Sequence, residues 1–515
     1  MMITIRMYLL FLSCVMLLIF LLKGNIYFFT MSVSNFTANV SFIYPDKLLV
    51  YFNSVICLLS GFIIYFTFFY MKKDMPINRF MVLMMIFVAS MIVTNSSNSC
   101  WTTWLGWEGL GITSYFLIMF YNNWKANNSA TSTIMLNRIG DFCLLLAMLN
   151  FIQAVRWDIN NTTMTSSLLL LAGVATLAKS AQIPLQSWLP IAMAAPTPVS
   201  SLVHSSTLVV AGVILCIKLN LLFYSPYMNW LCVMGYLTSF YSSLMALLEK
   251  DFKKILAYST MSQIALVMFM AFTNLKELML MHIVNHALIK ALLFMSIGVF
   301  IVFMFGNQDS RLMHLTSSLS PAATVSSICL FAMCGVTFTS SFYSKEYALL
   351  FPLKEESILS LINLMIFLSF AYSIRLVYLF FQAHANYPDG ISMSYPCLNT
   401  NMLLVPPMLA NGWIFMFNYS LPINVSWAAA KNFSLLTPLI MITLFYSWVF
   451  SQWISNNDTM YTCTSKSITP IKNFFTTKVK SINLSFNLGM FYYTNFYPVP
   501  WVLSIMLVMV MVNFM

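Results

Sequence analysis

Two histidines and a lysine, His282, His286 and Lys290, recur at i, i+4 and i+8 inside an apolar run of roughly 278–305. On a helix that spacing stacks all three on one face, in a slowly drifting column. Each ionisable group at membrane depth costs about 2.5–3.5 kcal/mol on insertion scales. A sequence that keeps three of them in a column has a use for them. Histidine changes charge near neutral pH, and a desolvated lysine comes within reach of it. Both types suit the passing of protons, so the column reads as a proton or ion relay. The plainer reading is a polar helix–helix contact.

Other ionisable side chains lie in apolar surroundings. Glu108 sits among glycines and tryptophans in Leu105-Gly106-Trp107-Glu108-Gly109-Leu110-Gly111. The glycines permit close helix approach, and the carboxylate needs a partner or a held proton. Arg138 and Asp141 stand at i, i+3 and can pair along their own helix. A pair that only neutralises itself for insertion explains them equally well. Lys179 precedes Ser180-Ala181-Gln182-Ile183-Pro184, which predicts a helix broken at depth. Broken helices free backbone groups for binding in transporters. His204, taken alone, reads first as a satisfied hydrogen-bonding residue rather than a relay. Lys345 and Glu346 end a Gly/Ser/Thr-rich stretch, 335–344, that again suggests an interrupted helix. Two interruptions in corresponding places hint at two repeated halves. Arg375 is a further intramembrane base with no obvious partner in the sequence.

These groups need membrane helices to hold them, and the chain supplies little else. Of its 515 residues, 60% are hydrophobic and 8% charged, which excludes a soluble domain. The expected class is an all-α polytopic membrane protein. Runs long enough to cross a bilayer lie at about 8–22, 47–70, 80–94, 98–120, 131–153, 167–189, the stretch opened by 194–207, 228–248, 255–272, 278–305, 322–345, 357–381, 402–419, 433–454 and 499–515. That is about 15 spans. No small-residue cleavage site follows residues 8–22, so they read as an anchor rather than a signal peptide. Residues 25–44 alternate apolar and polar and predict a short β-hairpin on the membrane surface. Within the polar stretch 455–498, residues 470–490 mix lysines with Phe, Ile and Leu, as an amphipathic helix lying flat on the membrane does.

The formal charge of +11 is spread through short loops. It is a topology signal rather than a nucleic-acid signature, and it places the N-terminus and 455–498 inside, with the hairpin outside. The 10 cysteines show no C-x-x-C pair and no zinc or iron–sulfur spacing, so neither disulfides nor metal are expected. No G-x-G-x-x-G or Walker A pattern suggests a nucleotide site.

Taken together, Gly106-Trp107-Glu108-Gly109-Leu110-Gly111, Asn137-Arg138-Ile139-Gly140-Asp141, Ala178-Lys179-Ser180-Ala181-Gln182-Ile183-Pro184, Ala194-Ala195-Pro196-Thr197-Pro198-Val199, Asn285-His286-Ala287 through Lys290-Ala291-Leu292-Leu293-Phe294, and Phe342-Tyr343-Ser344-Lys345-Glu346 resemble the subunit 5 family of NADH dehydrogenase. That family is the distal antiporter-like component of respiratory complex I, and the likeness covers about residues 45–380. It implies two inverted five-helix repeats, each with a broken helix and a half-channel. A line of charges would cross the protein at mid-depth. Glu108 and Lys179 resemble the ion pair of the first half, and Arg138 and Asp141 its modulating pair. His204, His282 and His286 resemble linking relay residues, Lys290 the central lysine, and Lys345 with Glu346 the last group before the exit. The segment 455–498 resembles a lateral helix over neighbouring subunits. Three features depart from the family. One N-terminal span fewer is present, Glu346 stands where Asp is common, and Pro470 interrupts a short lateral segment.

The domains expected are 1–79 (N-terminal helices and hairpin), 80–220 and 228–383 (first and second repeats), 384–454 (further membrane helices), 455–498 (lateral segment) and 499–515 (C-terminal anchor). The function implied is proton translocation through a Glu/Lys/His relay in the mitochondrial inner membrane, driven by quinone reduction elsewhere in the complex. NADH, FMN, iron–sulfur clusters and ubiquinone would be bound by other subunits. The partners implied are the other membrane subunits, subunit 4 in particular, and lipids. One rival is a stand-alone cation/proton antiporter, and another is a structural clamp that pumps nothing.

Overall fold

A chain in an apolar environment must pair its backbone groups within each segment, and helices do this. The computed structural model describes residues 30–32, 39–41, 47–153 apart from 73, 75, 98 and 99, 166–219, 225–310 apart from 274 and 305, 319–350 apart from 337 and 338, 356–381 and 396–418. Two short strands, β1 (Thr30–Ser32) and β2 (Asn39–Ser41), pair antiparallel with Met31 opposite Val40. The other regular elements are helical: α1 (Lys47–Tyr70), α2 (Ile77–Ser96), α3 (Cys100–Ile118), α4 (Trp124–Gln153), α5 (Ser166–Lys179), α6 (Leu208–Lys218), α7 (Ser225–Leu248), α8 (Phe252–Met270), α9 (Lys276–Phe303), α10 (Ser320–Cys334), α11 (Ser340–Leu350), α12 (Glu356–Phe381) and α13 (Pro396–Asn418), with short turns between. Among the described residues, 7 helical stretches are long and apolar enough to cross a membrane. The chain divides into two compact units, Met1–Trp448 and Val449–Met515. The expected spans at 8–22, 433–454 and 499–515, and the lateral segment 455–498, lie outside the described residues.

Two helices stop inside the apolar interior. α5 ends at Lys179, where Gln182 N–H closes on Leu177 O at 3.0 Å and Ala181 takes a left-handed φ of 54°. The chain turns until a short helix resumes at Trp188–Ile191. α10 ends at Cys334 against Gly335, whose φ of 83° suits a residue without Cβ. The helix resumes as α11 at Ser340.

A third irregularity follows the first break. Ser200–Thr207 winds as a wide π-helical turn carrying His204. Its hydroxyls bond back to the chain, Ser201 Oγ to Pro198 O and Ser206 Oγ to Leu202 O, each at 2.8 Å. Such backbone-directed bonds loosen a regular α ladder, and π turns cluster at functional positions.

α9 is the core element. It is buried on all sides, against α1, α8, α10, α11, α13 and the π turn. Gly298 lets α1 and the Thr197 turn close onto it: a Cβ there would stand 2.7 Å from Phe66 Cζ and 2.9 Å from Thr197 Oγ1.

Candidate functional site

The first group of charges forms where α4 packs against both α3 and α5. Arg138 of α4 bonds Glu108 of α3. Asp141, one helical turn further along α4, faces Lys179 at the end of α5, with Nζ to Oδ1 at 3.4 Å. Arg138 Nη1 also lies 3.8 Å from Asp141 Oδ2. Lys179 and Asp141 are buried, whereas the Arg138 side chain is 41% exposed and that of Glu108 14%. The expected Glu108–Lys179 pair is therefore replaced by two pairs with exchanged partners. Successive residues on a helix point about 100° apart. Trp107 turns toward Lys179 and Asp141, leaving Glu108 to face Arg138. Two acids and two bases leave the group neutral, which offsets the cost of burying it.

Trp107 completes this group. Its indole N–H donates to Asp141 Oδ1 at 2.7 Å, and its ring centroid lies 5.2 Å from Lys179 Nζ. A Cβ on Gly111, one turn along α3, would stand 3.4 Å from Lys179 Nζ.

The second group centres on α9. Lys290, fully buried, donates to Ser259 Oγ of α8. His282 is bonded on both ring nitrogens: Nδ1 lies 2.7 Å from Ser344 Oγ and Nε2 lies 3.2 Å from Gln263 Oε1. His286 Nε2 and both ring nitrogens of His204 meet no hydrogen-bond partner among the described residues. The His204 ring packs 6.2 Å from that of Trp188. The satisfied hydrogen-bonding residue of the three is thus His282, and not His204 as its setting in the sequence suggested.

Lys345 reaches the second break. Its ammonium donates to Met333 O at 2.7 Å, Cys334 O at 3.1 Å and Ser369 Oγ at 3.3 Å. These carbonyls are free because α10 ends there, and a helix C-terminus favours a cation. The Oε2 of adjacent Glu346 has no hydrogen-bond partner among the described residues. The two breaks thus treat their lysines differently. Lys179 is held by a carboxylate, Lys345 by neutral carbonyls.

Sequence reasoning missed Trp107, Ser259, Gln263, Ser344 and Tyr372. Ser259, Ser262 and Gln263 stand at i, i+3 and i+4 in an apolar helix, and that polar stripe was the available signal. Arg375 does have partners: it donates to Ala246 O and Glu249 O, each at 2.7 Å, at the C-terminal end of α7. Among the described residues, no three His, Cys, Asp or Glu side chains gather as a metal ion would require. The arrangement offers bases and acids in an apolar interior, bridged by hydroxyls and one amide. That chemistry is proton transfer.

The transmembrane family described as NADH:quinone oxidoreductase/Mrp antiporter matches residues 97–374. The NADH-ubiquinone oxidoreductase chain 5 of Anopheles quadrimaculatus is 36% identical over 419 residues, 78% of this chain and 69% of that protein. The protein of that name from Anopheles gambiae is 38% identical over 70% of this chain and 64% of its own length. The one from Caenorhabditis elegans is 35% identical over 72% of each. The chain spans about two thirds of the length of the two mosquito relatives. Among solved structures, the Mrp complex of Dietzia sp. DQ12-45-1b superposes with a TM-score of 0.70 at 19% identity, over 97% of this chain and 58% of that chain. The membrane-bound sulfane sulfur reductase, an archaeal respiratory complex, gives 0.66 at 17% identity, over 88% of this chain and 98% of that one. These two likenesses show the antiporter-like fold. With the family matched over more than half the chain, and relatives aligned over most of it, the chain belongs to the NADH:quinone oxidoreductase/Mrp antiporter membrane family.

Proposed function

We propose that this chain is the antiporter-like membrane subunit its relatives' names describe, chain 5 of NADH-ubiquinone oxidoreductase, and that it translocates protons along its buried bases. The observation that carries this is the burial of Lys179, Lys290 and Lys345, exposed by 0%, 0% and 4%, at and between two helix breaks. A structural clamp needs no charge there. The relatives' shared name favours a complex I subunit over a stand-alone antiporter, since the Mrp likeness is one of fold.

In the first half, Asp141 is the carboxylate paired with Lys179. At an effective dielectric of about 20, opposite charges 4 Å apart attract by about 4 kcal/mol, worth nearly a thousandfold in an equilibrium. Drawing Asp141 toward Arg138 withdraws that attraction, and Lys179 then gives up its proton toward His204 and the α9 column. Lys290, held by a neutral hydroxyl, receives it, and His282 and His286 carry it toward Lys345 and Glu346. Glu108 holds Arg138 and so sets how far Asp141 is shared.

The finer architecture belongs to the same proposal: about 15 spans, two inverted five-helix repeats over 80–220 and 228–383, a surface hairpin and a lateral helix. So do the location in the mitochondrial inner membrane, contact with the subunit 4 neighbour and lipids, and the binding of NADH, FMN, iron–sulfur clusters and ubiquinone by other subunits. Protons pumped per NADH oxidised, in membranes carrying Lys290→Met and with assembly checked by native gel, test the reading. Reduced pumping is expected, and a full ratio in an assembled complex refutes it.

A further inference from the structure

His282 differs from the other two buried histidines in having a hydrogen-bond partner at each ring nitrogen. Gln263 Oε1 faces Nε2 at 3.2 Å, and Ser344 Oγ faces Nδ1 at 2.7 Å. The Gln263 amide is itself anchored. Its Nε2 donates to the Tyr372 hydroxyl at 2.8 Å, which also accepts from Ser262 Oγ at 3.1 Å. Tyr372, Gln263 and His282 come from α12, α8 and α9, and all three are buried. Ser344 in turn has Ser341 O within reach at 3.0 Å.

An amide oxygen accepts hydrogen bonds and never donates them. With Gln263 Oε1 opposite, Nε2 of neutral His282 carries the hydrogen and Nδ1 carries the lone pair. The Ser344 hydroxyl donates to that lone pair. A proton taken up at Nδ1 turns imidazole into imidazolium, a cation with two N–H donors. Ser344 then swings its hydroxyl hydrogen to Ser341 O and accepts from Nδ1–H, while Nε2–H keeps Gln263. Every donor has an acceptor both before and after. Neither His204 nor the Nε2 side of His286 has such support among the described residues.

We propose that Gln263, held by Tyr372, is the positioning residue that lets His282 hold a transferred proton between Lys345 and Lys290. The proton arrives from the Lys290 side and leaves for Lys345 once that amine has given its own proton up toward Glu346, and Ser344 directly precedes Lys345 on α11. The amide cannot pass a proton on, so Nε2 is closed and the proton enters and leaves through Nδ1. His282 is then a holding point rather than a wire. This rests on the proton-translocating reading above.

The test is protons pumped per NADH oxidised in membranes carrying Gln263→Leu, Tyr372→Phe and the double variant Gln263→Leu/His282→Leu, with His282→Leu and Lys290→Met measured alongside. Tyr372→Phe keeps the ring and removes only the anchoring hydroxyl, so it decides the matter if Gln263→Leu fails to assemble. Both single variants are expected to lower the ratio while the uncoupled NADH oxidation rate holds. The double variant should lose no more than His282→Leu alone. A full ratio in assembled Gln263→Leu or Tyr372→Phe, or losses that add in the double variant, overturns the inference while a loss in Lys290→Met leaves the broader reading standing. A full ratio in Lys290→Met as well overturns both.

Discussion

Trp107 donates its indole N–H to Asp141 Oδ1 at 2.7 Å, and the same oxygen lies 3.4 Å from Lys179 Nζ. Asp141 thereby joins three helices: its own α4, α3 through Trp107 and α5 through Lys179. Its second oxygen is 3.8 Å from Arg138. One carboxylate is shared by two bases, and its position decides which base it stabilises.

Asp141→Asn removes that choice. It leaves Lys179 buried without its anion, the situation in which breaking a buried pair costs about 3–5 kcal/mol. Pumping per NADH should fall about as far as with Lys179→Met. Glu108→Gln should fall less, because Glu108 meets the half-exposed Arg138 rather than Lys179. Equal losses for Glu108→Gln and Asp141→Asn in assembled complexes would contradict the partner exchange.

Trp107 acts through two contacts that substitution can separate. Trp107→Phe keeps a ring near Lys179 but loses the bond to Asp141, worth about 1.5–3 kcal/mol for a charged acceptor. Trp107→Leu also loses the cation–π contact, worth about 0.5–2 kcal/mol. The pumping ratio should step down from parent to Phe to Leu. If Phe behaves as the parent does, the indole N–H does not hold Asp141.

Gly212 on α6 lies against the first break. A Cβ there would stand 2.6 Å from Thr176 O and 2.9 Å from Ser180 N, both backbone atoms. Neither gives way by a rotamer change, so Gly212→Ala must push α6 off the end of α5. Overpacking of this kind costs about 1–3 kcal/mol. The expected outcome is a lower thermal midpoint and less assembled complex on a native gel; an unchanged midpoint would show the two helices free to separate.

Glu249 follows α7, outside the membrane-spanning segments. Burial pushes its carboxyl above the ordinary carboxylate range, opposed in part by Lys254 and Arg375. The folded state binds this proton more readily than the unfolded chain does. Stability is therefore lost as pH rises through the window from the ordinary value to the raised one, and it stays lost above that window. Glu249→Gln removes the ionisation. Its thermal midpoint should match the parent's at acid pH and exceed it at neutral pH. An equal difference at both would show that the side chain's shape matters and its charge does not.

The sequence alone determined the class and the cast of this protein. Apolar runs of bilayer length dictate helices because the backbone has no other partner in an apolar medium. The cost of burying charge singles out Lys179, Lys290, Lys345 and the histidines wherever they fall in such a run. Pro184 and Gly335 mark the two breaks through local backbone rules. Tertiary structure alone decided who holds whom. Helical spacing brought Arg138 and Asp141 to one side of α4, but the rotation of α3 against it gave Glu108 to Arg138 and left Asp141 with Lys179. Ser259, Gln263 and Tyr372 are ordinary polar residues until three helices bring Ser259 to Lys290, Gln263 to His282 and Tyr372 to Gln263. Periodicity fixes a face within one helix. The partner across the gap depends on depth, rotation and crossing, which belong to pairs of helices and not to any one of them.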